Sequence, residues 1–151
     1  MHFLLNLNDT LRKALEEASY AVFIADDNNI IQYHNAEAMK IFGYDESMVG
    51  KPINDLVPDR YQKGHLHKMD EFWRENIPRK PGRDRHLNGK KADGSEVLLE
   101  INLNPFEIDG KPYVMCNCID VERKIGPDML SSFLGKMDSI NACLKNQIES
   151  T

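Results

Sequence analysis

LVPDRYQKGHLHKMDEFWRENIPRKPGRDRHLNGKKADGSEVLLEINLNPF, residues Leu56 to Phe106, decides the fold, because it sets one long helix beside two strands joined at a tight turn. Tyr61, His65, Met69, Phe72 and Trp73 recur at the three- and four-residue steps of a single helical face. Pro58 stands just ahead of them, where a fixed φ suits a helix start. The spacing predicts a helix over Asp59 to Asn76, ended by Pro78 and Pro81. Further on, VLLEINL alternates, with Val97, Leu99, Ile101 and Leu103 on one face, Glu96, Glu100 and Asn102 on the other, and Leu98 as the exception. That is the pattern of a half-buried antiparallel strand. Asp93-Gly94 tolerates the positive backbone angles of a tight reversal, so Arg85 to Ala92 is the predicted partner strand. A long helix therefore lies against a hairpin, and His65 and Arg85 are both placed to face the space between them.

Working outward toward the N-terminus, AVFIAD (Ala21 to Asp26) and IIQYHN (Ile30 to Asn35) are β-rich runs separated by Asp27-Asn28-Asn29, and they predict a first hairpin. Asn35 is suited to cap the short helix AEAMKIFG, which turns Ala38, Ile41 and Phe42 inward and ends at Gly43. Leu4, Leu7, Leu11, Ala14 and Ala18 imply an amphipathic N-terminal helix capped by Asn8 or Asp9. Toward the C-terminus, a second Asp-Gly turn in FEIDGKPY leads into YVMCNCIDV (Tyr113 to Val121), a last strand with Val114, Cys116 and Cys118 on one face. Five strands result. Gly126-Pro127 breaks the chain, after which Leu130, Phe133, Met137, Ile140, Leu144 and Gln147 form a heptad seam. Such a seam is too apolar to leave in water, so it is expected to pack on the sheet, on the N-terminal helix or on a second copy.

A length of 151 residues suits one domain with helical extensions. The formal charge of −5 leaves no basic stripe for nucleic acid, although Arg79, Lys80, Arg83, Arg85, Lys90 and Lys91 concentrate positive charge locally. No apolar run is long enough to span a bilayer, and no secretory leader is evident. Three cysteines without framework spacing read as free thiols of a reducing compartment, which predicts a cytoplasmic location. His65 and His67 are two apart rather than the four a helical zinc pair prefers. Paired carboxylates, a nucleophile elbow and a phosphate loop are all lacking as motifs, so no enzyme is expected.

The order of two strands, short helices, a long helix and three further strands resembles a PAS domain. The motifs that carry the resemblance are NAEAMKIFGYDESMVGKPINDLVPDRY, KKADGSEVLLEINLNPFEIDG and CIDVERK, and it covers about Tyr20 to Lys124. It implies an α+β fold: a five-stranded antiparallel sheet with helices on one face, plus N- and C-terminal flanking helices. The implied organisation is an N-terminal flanking helix (1–19), a PAS domain (20–124) and a C-terminal signalling and dimerisation helix (127–151). The implied function is that of a sensor in two-component or chemotaxis-type signalling. A small ligand or cofactor would sit in a pocket between the long helix and the sheet, and a homodimer would relay its presence through the flanking helices to an output domain or partner protein. The same fold is also compatible with a cofactor-free interaction module, its core filled by side chains such as Phe23, Met69, Phe72 and Met115.

Within the family, the covalent flavin photosensor branch requires a cysteine in an NCRFL-like helix, which is missing here, so a flavin adduct is not expected. Oxygen-sensing haem PAS domains carry an iron-ligating histidine in a segment similar to PDRYQKGH and a distal arginine at the start of the following strand. His65 and Arg85 match those positions, Ile101 and Leu103 match the apolar distal wall, and Glu71 stands where that branch has a basic residue. The pocket implied by the resemblance is lined by His65, Met69, Arg85, Ile101, Leu103, Cys116 and Cys118, with haem b as the cofactor to test. Two readings of His65 remain: an iron ligand, or a helix histidine hydrogen-bonded at the edge of the core. Cys116 and Cys118 read as small core residues.

Overall fold

A computed structural model describes residues 9–75 and 86–121 of the chain. The C-terminal seam, Leu4, Leu7, Asn8, Pro78, Pro81 and Arg85 lie outside the described residues. Three α-helices, α1 (Asp9–Glu17), α2 (Ala36–Phe42) and α3 (Asp59–Glu75), and a 3-10 turn at Ile53–Leu56 accompany five strands. These are β1 (Ala21–Asp26), β2 (Ile31–His34), β3 (His86–Lys90), β4 (Glu96–Ile108) and β5 (Lys111–Asp120). They form one antiparallel sheet in the order β2-β1-β5-β4-β3.

The turns follow from local chemistry. Gly94 (φ 89°) closes the β3–β4 hairpin, with Asp93 Oδ1 accepting the Ser95 amide at 2.9 Å. Asp109 (φ 52°) and Gly110 (φ 76°) reverse the chain between β4 and β5. The β4 strand is longer than VLLEINL, running on through Pro105 to Ile108, because β5 pairs with it over that whole length.

β1 is buried at every position because both faces of the sheet are covered there. On one face, Phe23 packs with Ala38, Ile41 and Phe42 of α2 and with Val97, Leu99 and Cys118. On the other, Val22 and Ile24 pack with Met115, Tyr33 and the α1 residues Leu11 and Leu15. Two expectations change as a result. Leu15, not Ala14, continues the α1 seam from Leu11, since Ala14 is exposed. Asn102 is buried instead of facing solvent, because its side of the sheet is the one that carries the α1 cluster.

Asn35 caps α2 as expected, its Oδ1 accepting the Ala38 amide at 3.1 Å, and Gly43 (φ 72°) ends that helix. The same Oδ1 accepts the Val22 amide at 3.0 Å, and Nδ2 donates to Leu15 O at 3.0 Å and Tyr20 O at 2.9 Å. One side chain thereby ties the end of α1, the start of β1 and the start of α2 together.

Candidate functional site

α3 crosses the sheet face opposite α1 and is anchored at both ends. Near its start, Arg60 forms a bidentate pair with Glu96, Nη2 donating to Oε1 at 2.6 Å, and Lys90 reaches Asp59 at 2.8 Å. Near its end, Phe72 is buried against Ala25 and Val114, and Trp73 Nε1 donates to Asn29 Oδ1 at 2.8 Å. Phe72 and Trp73 meet edge to face with ring centroids 5.3 Å apart, as packing residues rather than an exposed stacking platform.

Between the anchors, α3 and the sheet enclose a cavity of about 750 Å³, within the range of small-molecule sites. His65, Met69, Ile101, Leu103, Cys116 and Cys118, all expected at the pocket, line it. Arg85 lies outside the described residues. Tyr61 also borders the cavity but is half exposed, so the α3 face predicted from spacing is buried only toward its C-terminal end, at Phe72. Phe23 and Phe72 form walls, whereas Met115 points to the α1 side of the sheet and is no candidate for filling the pocket. His67 turns away, as expected, and pairs with Glu71 at 3.1 Å.

His65 is the polar centre of the α3 wall. Its Nδ1 lies 2.7 Å from Asn54 Oδ1 on the 3-10 turn; with that oxygen as acceptor, Nδ1 carries the proton and Nε2 keeps its lone pair. Burial, reinforced by the Lys68 ammonium, holds the imidazole below its ordinary pKa of 6.5. The folded chain thus takes up this proton less readily than the unfolded one. Its contribution to stability is complete above pH 6.5 and is lost as pH falls from there through the folded value. His65→Gln is therefore expected to flatten the acid side of the stability curve, read as urea midpoints at several pH values down to pH 5. An unchanged slope would contradict the assignment.

Several site residues escaped the sequence reading. Asn54 had no local signal, since its partner is eleven residues away on another element. A Cβ at Gly89 would lie 2.8 Å from Phe42 Cε1 and 2.9 Å from Leu99 Cδ1 and would force one of them to shift, a contact legible only once α2 is laid against β3. Lys68 joins Arg60 and the already noted Glu71 in placing charge on the cavity wall.

Fold and cavity together define a class: small α+β domains in which one antiparallel sheet and one long helix enclose a ligand-sized space. A family model for the PAS domain matches residues 19–123, and the chain belongs to that family. Among curated proteins it is similar to the sensor protein FixL of Bradyrhizobium diazoefficiens, 26% identical over 104 residues, which spans 68% of this chain and 21% of that protein. It is likewise similar to the oxygen sensor protein DosP of Escherichia coli, 26% identical over 103 residues, or 68% of this chain and 13% of that one. Solved structures of like fold include a PAS domain from a two-component sensor histidine kinase (TM-score 0.60, 18% identity, 74% of this chain and 93% of that one). The LOV protein of Rhodobacter sphaeroides gives a TM-score of 0.64 at 12% identity, covering 93% of this chain and 92% of that one. At these identities the structures establish the fold alone. Among the described residues, no helix is long and apolar enough to cross a membrane.

Proposed function

We propose that this PAS domain is a cytoplasmic, non-catalytic sensory module that binds a small, largely apolar ligand beneath α3. The observation that carries the reading is the cavity of about 750 Å³, largely apolar on its sheet side, with the His65 imidazole held by Asn54. Occupancy would bias the packing of β5, and with it the segment after Asp120, which would carry the signal through a homodimer to an output domain or partner. Coupling of this kind requires the ligand to favour one of two packings.

Haem b is the specific occupant that this arrangement favours, and the oxygen-sensor relative supports it. Iron-ligating histidines commonly donate their second ring N–H to a carbonyl or carboxylate, and Asn54 meets His65 Nδ1 in that way. Ile101, Leu103 and Val114 offer an apolar face to a porphyrin, and Lys68 a cation for a propionate, while Glu71 opposes one. When bound, haem would supply an iron centre that takes a diatomic gas. The chain's own residues hold, orient and desolvate it.

The test is reconstitution of the full chain with hemin. A Soret band that His65→Ala abolishes is the expected result. No Soret band, together with no small molecule in an organic extract of freshly purified protein, would overturn the reading in favour of an interaction module without a cofactor.

A further inference from the structure

The cavity carries a second chemistry that ligation at His65 does not use. Cys116 and Cys118 are two apart on β5, so the pleat sends both side chains to one face. Both line the cavity, with sulfur atoms 3.7 Å apart. Their cross-strand neighbours are Phe23 and Leu103 for Cys116, and Ala21 and Ile101 for Cys118. Among the described residues, the charged and titratable side chains other than the thiols that border the cavity, Arg60, Tyr61, His65, Lys68 and Glu71, all stand on α3, the opposite wall. The result is a dithiol in apolar surroundings with no cation from its own strand neighbours.

Bare metal ions suit this pair poorly. Two thiols would have to lose two protons, and among the described residues no group of three or more His, Cys, Asp or Glu gathers to complete a coordination shell. The hydrogen bond with Cys116 and burial both hold the Cys118 thiol well above its ordinary range, which keeps it protonated. A neutral dithiol in an apolar wall matches a neutral ligand that condenses with thiols and releases water.

We propose that Cys116 and Cys118 form a binding site for a neutral, thiophilic trivalent centre, with arsenous acid or a mono-organic arsenical as the chemical class. In the reaction of As(OH)3 with two thiols, two S–H and two As–O bonds give way to two As–S and two O–H bonds, releasing two waters. Arsenic stays trivalent, no electrons are transferred and no net charge is buried, which an apolar wall favours. Two sulfurs 3.7 Å apart are close enough for one atom to bridge them with little side-chain movement. The inference does not depend on haem.

The test treats the reduced full chain with phenylarsine oxide. Expected are an intact mass raised by one probe molecule less one water, and the loss of two of the three titratable thiols. Reversal by 2,3-dimercaptopropanol but not by a monothiol at equal thiol concentration is also expected. Cys116→Ser and Cys118→Ser should each abolish the adduct, while Cys143→Ser and His65→Ala retain it. Should the buried Cys118→Ser chain fail to fold, the half-buried Cys116→Ser, its fold confirmed by circular dichroism, decides alone. An adduct undiminished in Cys116→Ser, no adduct at all, or thiol loss with a mass decrease of two hydrogens would overturn the proposal.

Discussion

Replacing Asn35 by alanine is expected to lower the unfolding free energy by about 4 kcal/mol. The magnitude follows from the number of backbone groups left behind. The side chain is 1% exposed and makes four hydrogen bonds, accepting from Val22 and Ala38 and donating to Leu15 and Tyr20. A lost helix cap alone costs about 1 kcal/mol, whereas each buried backbone group stripped of its partner costs roughly 1–3 kcal/mol. Asn35→Asp separates the two contributions. Aspartate caps helices as well as asparagine, but it cannot donate to Leu15 O and Tyr20 O and would bury a charge against two carbonyls. Chemical denaturation should therefore show the aspartate variant to be at least as damaging as alanine. A near-neutral Asn35→Asp would mean that capping is all this residue does.

Phe72→Ala should follow closely, at about 3–4 kcal/mol, the usual cost of emptying a buried phenylalanine site. Phe72 is the one residue of α3 that is fully buried, and it docks the C-terminal end of the helix on Ala25 and Val114. The Arg60–Glu96 and Lys90–Asp59 pairs at the other end are solvent-exposed and hold weakly. Losing Phe72 should therefore loosen the cavity roof as well as the whole fold. Hydrogen exchange of the amides around Met69 to Glu75 should accelerate more than that of β1, and Phe72→Leu should recover most of the loss. A Phe72→Ala change below about 1 kcal/mol would show that α3 is held mainly by its ion pairs, contrary to the packing argument.

What the chain order alone determined was local. Alternation placed Val97, Leu99, Ile101 and Leu103 on the face that lines the core and cavity, and the paired spacing of Cys116 and Cys118 put both thiols on that face too. Asp-Gly pairs marked both later turns, and Asn35 and Gly43 marked the bounds of α2. These signals are readable because each depends on residues within a turn or a strand pleat of one another. The resemblance to PAS domains then supplied a single five-stranded antiparallel sheet, which periodicity does not carry, and the structure supplied the strand order.

Only the tertiary structure decided what depends on elements distant in sequence. It placed α1 on the face of the sheet away from α3, which buries β1 on both sides, draws Leu15 into the core in place of Ala14 and hides Asn102. It brought Asn54 to His65 and so set which ring nitrogen carries the proton, and it pressed Phe42 and Leu99 against Gly89 so closely that a side chain there would force them to shift. It also spread Asn35 across three elements, turning a helix cap into a tertiary clamp. The physical reason is common to all of these: burial and hydrogen-bond partnership are properties of which surfaces meet, and a linear pattern specifies the surfaces but not their meeting.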